Sequence, residues 1–407
     1  MLRVYPPAFR ATHLAFTLAL IALSSGCRDR APEAGPKAPA DAPSSAVLTP
    51  RDAAVASASA ASLASAPATT RKILVPDDPM GSAFAAEKVT GEAHAMGTHL
   101  SYAAFSTPQV SGDRVRAAFD AATAEIQRLE ALMTTWRPDS DVSRINAAAG
   151  ASGVVVSPET YAVIEESIHA SERSEGTFDI TFETLHGLWK FDEDLDPHPP
   201  TDAQIQAKLP LLGYRHIKLD AQKHSVFIDQ AGTRIGLGGI AKGYAVDRAA
   251  QTLLSAGINA FYVQAGGDLF THGRKPDGSE WIAGIRDPRG AEGDFFAMIS
   301  VTDHSFSTAG DYERSYIVGG TRYHHIIDPR TGKPATASRS VTIWAPTAFL
   351  ADAVDDAVFI LGPEKGLKLV ESLDGVGAVI VDAHNNVVIS KRLEGKVKVV
   401  HPPTGGI

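Results

Sequence analysis

At 407 residues, with 47 acidic against 38 basic side chains and a formal net charge of −9, the chain can hold one large domain or two fused lobes and offers no basic surface to a polyanion. No run of Lys and Arg interleaved with aromatics occurs, so nucleic acid is not an expected partner. The only cysteine, Cys27, leaves no intramolecular disulfide to form.

The chain opens with Arg3 and Arg10, then an apolar run from Leu14 to Leu23, then Ser24-Ser25-Gly26-Cys27, which is the layout of a secretory signal. A run of about ten residues is half of the roughly twenty that cross a bilayer as a helix, so no permanent span is expected. Cys27 resembles the acylated cysteine of bacterial lipoproteins, although Ser24 stands where those signals usually carry Leu. Residues 1–27 therefore read as a lipoprotein-type signal peptide that leaves a lipid anchor in a membrane; an ordinary cleaved signal with an incidental cysteine is the alternative. Arg28 stands where an inner-membrane retention signal would carry Asp, which points to the periplasmic face of an outer membrane. Residues 28–84 are dominated by Ala, Pro and Ser and lack large apolar side chains, so they are expected to form a disordered tether.

Residues 85–400 form the expected folded domain. His99 to Phe105 reads as a strand, and Val115 to Met133 as a helix, with Ala118, Ala122, Ile126, Leu129 and Leu132 at helical spacing. A second helix is expected from Pro158 to Glu175, stopped by Gly176. His216–Leu219 and Ser225–Ile228 read as paired strands, Thr233–Leu237 as a short strand, and Ala241–Ser255 as a helix ending at Gly257. The strands beyond Phe261 follow one another without crossover helices, which predicts mixed or antiparallel sheets with flanking helices, an α+β fold.

Three constellations carry chemistry. The loop Gly236-Leu-Gly-Gly-Ile-Ala-Lys-Gly243 precedes a helix, where backbone N–H groups and the helix dipole favour a phosphate. It also reads as a plain tight turn, and it is neither a Walker loop, since Lys242 lacks a following Ser or Thr, nor a dinucleotide fingerprint with its acidic residue. Asp352, Asp355 and Asp356 fall on one face of a helix expected from Pro346 to Leu361 and stopped by Gly362-Pro363. A solvated acidic face is the plain reading; Phe349 and Phe359 on the same face favour burial, and oxygen-only donors then suit magnesium or calcium. His324 and His325 point to opposite faces of a strand, so one of them faces any given site; a packed residue or a general base are the two readings.

Together these residues resemble the ApbE-type FAD:protein FMN transferases. The likeness runs through Met96-Gly-Thr98, Leu132 to Asn146, Phe178-Asp-Ile-Thr181, Leu188-Trp-Lys-Phe191, Gly236 to Asp247, Ala265-Gly-Gly-Asp268, Ser307 to Glu313, His325 to Gly332 and Ala351 to Gly362. It implies two fused lobes around a FAD cleft, and Mg2+-dependent transfer of FMN from FAD to a Thr or Ser hydroxyl of an acceptor flavoprotein, with release of AMP. By position it implies FAD contacts at Met96, Trp136, Phe178, Asp179, Ile180, Lys242 and Ile326, a metal shell of the Gly239 carbonyl with Asp352, Asp355 and Asp356, and His325 as the base. Three positions depart from the family pattern: Gly236 replaces the usual Asp, Gln264 the usual Asn and Asp356 the usual Thr. Two other activities fit the same site, a metal-dependent FAD pyrophosphatase and a non-catalytic FAD-binding lipoprotein.

Overall fold

The computed structural model describes residues 84–191 and 195–407, all within the second of two units, Ala54–Ile407. The expected signal peptide at 1–27 and all of the expected tether at 28–84 except Phe84 lie outside the described residues. Eight strands build the principal sheet: β1 (Lys88–Ala95), β2 (Thr98–Phe105), β3 (Phe261–Ala265), β4 (Asp268–His272), β5 (His304–Gly310), β6 (Ser338–Ala345), β7 (Gly377–Asp382) and β8 (Val387–Ile389). Their spatial order follows their chain order and every pairing is antiparallel, including those whose connections carry helices, between β2 and β3 and between β6 and β7. β1 and β2 are joined by Met96-Gly97, with φ of 53° and 66°, the left-handed pair that a two-residue hairpin requires.

Both faces of this sheet are covered, and its side chains alternate accordingly. On β6, Val341, Ile343 and Ala345 point to one core while Trp344 points to the other; on β7, Ala378 and Ile380 oppose Val379 and Val381 in the same way. A one-residue slip would exchange these sets. The first face carries α1 (Gly112–Met133), α5 (Ala241–Ser255) and α6 (Ala348–Ser372), numbered with α2 (Asp141–Ala147), α3 (Pro158–Arg173) and α4 (Asp202–Lys208). The second face carries a three-stranded sheet of Trp281–Arg286, Phe295–Val301 and Val397–Val399. Beyond it the chain stays packed: the backbone and hydroxyl of Thr404 donate to Asp287 at 2.9 and 2.7 Å. Among the described residues no helix is long and apolar enough to cross a membrane.

The expected strand at Thr233–Leu237 does not form. These residues lie beside no ladder, and side chains take the place of a neighbouring strand: Asn146 Nδ2 donates to the Ile235 carbonyl at 2.9 Å and Asn146 Oδ1 accepts from Ile235 N–H at 2.8 Å. The Gly236 N–H donates to the Ile180 carbonyl at 2.9 Å, so the segment is tied to the stretch that carries Phe178 to Ile180. The helix after Pro158 ends at Arg173, two residues short of the expected Glu175, which takes a positive φ of 56° before Gly176. Gly362 breaks α6 as expected, with φ 72° and ψ −177°, but helix resumes at Pro363 and runs to Ser372.

Candidate functional site

The ends of α5 and α6 meet at Gly243, and this contact assembles the site. A Cβ at Gly243 would collide with the Ala348 carbonyl oxygen, so only glycine lets the two helices approach. Across that contact the Gly243 N–H donates to Asp352 Oδ2 at 2.8 Å, and one turn later Asp247 accepts from the N–H groups of Ala348 and Phe349 at 2.9 and 3.0 Å. Helices α1, α2, α3, α4 and α6 each start with a Ser or Thr cap, whereas α5 starts at Ile240, which has no capping side chain. The exception is the helix that follows the glycine loop: Ala241 N–H donates to the Leu237 carbonyl at 2.8 Å and Gly243 N–H to Asp352, from another helix.

Lys242 lies among carboxylates from two elements, β4 and α6. Its ammonium donates to Asp268 Oδ2 at 2.7 Å and to Asp352 Oδ1 at 3.2 Å. Ser307 on β5 lies 2.6 Å from Asp268 Oδ1 and 2.6 Å from Asp355 Oδ2. One hydroxyl has one proton, so one of these two contacts requires a carboxylic acid donating to the serine oxygen. Burial, reinforced by Asp356, Asp352 and Asp268, holds the Asp355 carboxyl well above the usual range. Burial also raises Asp352 to about 7 and Asp356 to about 6, with Lys242 opposing both shifts. For Lys242 burial favours the neutral form, but Asp268 and Asp352 outweigh it and keep the ammonium charged. The acidic face of α6 is thus a buried cluster, with Asp352 and Asp355 2% and 4% exposed, and the solvated reading does not hold.

Gly239 faces this cluster: a Cβ there would lie 3.0 Å from Asp356 Oδ2 and 3.5 Å from the Phe178 ring, whereas a Cβ at Gly238 would meet open space. The glycine loop is therefore a floor with carboxylates at one end and a vacant side above Gly238. Among the described residues no group of three or more His, Cys, Asp or Glu side chains stands as a finished metal cage. The donor chemistry nonetheless fits a hard divalent cation, because four carboxylates face one ammonium and retain protons that a cation would displace.

His324 ends the strand Thr321–His324 and His325 lies in the bend just beyond it, so the two side chains meet different surroundings. His324 is buried, with Nε2 2.8 Å from the Ala335 carbonyl oxygen and its ring against Phe359, so it is the packed member of the pair. His325 is partly exposed, donates its backbone N–H to the Arg314 carbonyl at 3.2 Å, and has a buried Nδ1 without a hydrogen-bond partner. Burial first, then the charge of Arg314, pushes its imidazole down to about 3, and the Lys242 ammonium adds to this shift. This lies below the ordinary histidine value near 6.5 and favours the neutral ring in the free protein.

The other anticipated ligand contacts are placed unequally. Phe178 and Ile180 are buried in the helix-side core, and Met96 packs against it. Both Asp179 oxygens are engaged, Oδ1 by the Thr181 N–H and hydroxyl and Oδ2 by the Tyr214 N–H, so this carboxylate is a cap for the turn Ile180–Leu185. Ile326 has its side chain in the core that Val341 and Ile343 enter and both backbone groups bonded, to His324 Nδ1 and to the Ala335 N–H. Trp136 is 77% exposed, its ring 5.9 Å from that of His186. Next to Asp179 an open cleft of about 290 Å³ runs between Tyr214 and Arg330.

The match to a family model decides the affiliation: residues 96–380 fit the ApbE family. The chain belongs to the ApbE family. It is 35% identical over 300 residues to the FAD:protein FMN transferase of Treponema pallidum, covering 70% of this chain and 83% of that one. With the FAD:protein FMN transferase of Escherichia coli K12 it shares 30% identity over 269 residues, 65% of this chain and 77% of the relative. Among solved structures, the ApbE protein of Thermotoga maritima superposes with a TM-score of 0.69 at 32% identity, covering 76% of this chain and 99% of that one. The flavin transferase ApbE of Vibrio cholerae gives 0.67 at 27% identity, with the same coverage of 76% and 99%. The ApbE fold is α+β, with the mixed helices and antiparallel sheets described above, and the ApbE chain is an enzyme of the transferase class.

Within this ApbE chain, two polar groups of the cluster carried no role in the sequence reading. Asp268 is fully buried at the start of β4, directly after the Gly266-Gly267 turn, and Ser307 is buried on β5. Both lie in quoted motifs, but a side chain's partners across a sheet are invisible in a linear pattern. Gln264, in place of the usual Asn, donates from Nε2 to the Gly266 carbonyl at 2.8 Å and so braces the turn that presents Asp268.

Proposed function

We propose that the chain transfers FMN from FAD to a Thr or Ser hydroxyl of an acceptor flavoprotein and releases AMP, with Mg2+ bound at the α6 carboxylates. The observation that carries this is the convergence of Lys242, Asp268, Asp352, Asp355 and Asp356 at an uncapped helix start, within electrostatic reach of a neutral His325. The names of the relatives agree with it.

The residues divide the work. The glycine loop and the start of α5 receive the pyrophosphate, and Lys242 offers it an ammonium. A cation held by Asp352, Asp355, Asp356 and the Gly239 carbonyl supplies charge neutralisation on the phosphate oxygens. The acceptor oxygen forms a bond to the phosphorus of the FMN half as the bridging P–O bond breaks, and AMP leaves with that electron pair. The hydroxyl proton passes to His325, whose neutral ring offers a free nitrogen lone pair. The exposed Trp136 provides aromatic surface for the dinucleotide. The signal pattern ending at Cys27 supports a lipid anchor at the periplasmic face of the outer membrane for this chemistry, with residues 28–84 as spacer.

Chromatography of the nucleotide products tests the reading. With FAD and Mg2+ the full chain is expected to release AMP in step with flavin incorporation into an acceptor, and EDTA is expected to stop both. AMP and free FMN produced equally well without acceptor would instead establish a pyrophosphatase, and intact FAD would establish a binding protein.

A further inference from the structure

Gly236 leaves a question about charge at the end of the glycine loop, and the structure answers it from another element. Glu183, on the turn Ile180–Leu185, directs its side chain at Gly236. A Cβ at residue 236 would lie 2.9 Å from Glu183 Oε2 and 3.1 Å from Glu183 Cβ, so the space a side chain at 236 would need is already filled by a carboxylate. Glu183 is 8% exposed and its Oε1 is buried with no hydrogen-bond partner. The nearest cations stand at ion-pair range only, Arg234 Nη2 at 3.6 Å and His186 Nδ1 at 3.8 Å. A buried carboxylate oxygen without a donor is a costly arrangement for the free protein, of the kind that persists where a ligand supplies the missing bond. The surroundings suit a nucleotide: the His186 ring neighbours the exposed Trp136, and the loop opens at Gly238.

We infer that Glu183 is the carboxylate that serves the end of the glycine loop at Gly236, and that its Oε1, which has no hydrogen bond in the free protein, accepts one from an N–H or O–H group of the bound flavin dinucleotide. The assignment rests on the FAD-binding reading above and adds to it a residue from a different element. The loop carries no side chain at 236, and the neighbouring turn presents a carboxylate in that volume. Glycine at 236 is then required by Glu183: a carboxylate at both positions would overlap and repel.

The test is FAD affinity of the full chain with Mg2+, read by flavin fluorescence, alongside thermal melting. Glu183→Ala is expected to weaken FAD binding about tenfold or more while leaving Tm unchanged or raised, since the lost oxygen has no hydrogen bond in the free protein. Gly236→Asp alone is expected to lose both affinity and Tm. The double variant Glu183→Gly with Gly236→Asp is expected to recover affinity to within about threefold of the parent. Separate titrations with FMN and ADP tell which half of the dinucleotide meets the carboxylate. Unchanged FAD affinity in Glu183→Ala overturns the inference, as does a parallel loss of Tm and affinity that the double variant does not restore. Absence of FAD binding by the unaltered chain overturns the functional reading itself, a result distinct from either.

Discussion

Replacing His325 by alanine is expected to lower the rate of FMN transfer by about 10²–10⁴-fold while FAD affinity changes by less than about threefold. The imidazole makes no side-chain hydrogen bond through its buried Nδ1, and its backbone N–H bond to Arg314 survives the substitution, so the fold loses little. Its role lies in accepting a proton, and the low proton affinity of the free site has a specific physical consequence. Burial and the charges of Arg314 and Lys242 keep the ring unprotonated in the absence of substrate, so no deprotonation step precedes catalysis. The anionic pyrophosphate beside Lys242 offsets these positive charges when it binds, which raises the ring's affinity for the proton when the hydroxyl attacks. Stopped-flow transfer and equilibrium FAD binding, measured on the same preparation, separate the two effects. Loss of affinity as large as the loss of rate would show that His325 holds the nucleotide and is not the base.

Lys242→Met is expected to cost about 3–5 kcal/mol of stability at pH 8 in the presence of EDTA, because it leaves buried carboxylates facing one another without a cation. The ammonium touches Asp268 at 2.7 Å and Asp352 at 3.2 Å, and it opposes the upward shifts of Asp352, Asp355 and Asp356. The pH dependence follows from those shifts. Carboxyls whose folded values lie above their unfolded values contribute stability that is present at low pH and lost as pH rises through the folded values, about 6 for Asp356 and about 7 for Asp352. The penalty of the substitution should therefore be smaller at pH 5, where the cluster carries protons of its own. Urea unfolding at the two pH values measures it; an equal penalty at both would mean that the carboxylates do not depend on Lys242 for their charge.

The sequence made the helices, the antiparallel connectivity and the acidic face of α6 readable, because each is a local pattern: Ser or Thr caps, two-residue turns and helical spacing. The resemblance carried by its ordered motifs also implied one site for His325, Lys242 and the three aspartates. What it could not show depends on side chains that meet across elements. The segment at Thr233–Leu237 has strand-like residues, yet Asn146 from α2 supplies its bonds, so propensity yielded to a tertiary contact. Asp179 matched a ligand position but spends both oxygens on Thr181 and Tyr214, and the buried Ile326 spends its backbone groups within the fold. Ser307 joins Asp268 to Asp355 across two strands and a helix, a link no spacing announces. The same limit hid Glu183, which makes sense only once its carboxylate is seen beside Gly236.

The most direct measurement is the intact mass of an acceptor flavoprotein domain after incubation with the full chain, FAD and Mg2+. A gain of one FMN, located on a Thr or Ser by fragmentation and abolished by EDTA, is the predicted result. An unmodified acceptor in a mixture where FAD is bound, or split to FMN and AMP, would contradict the transferase account.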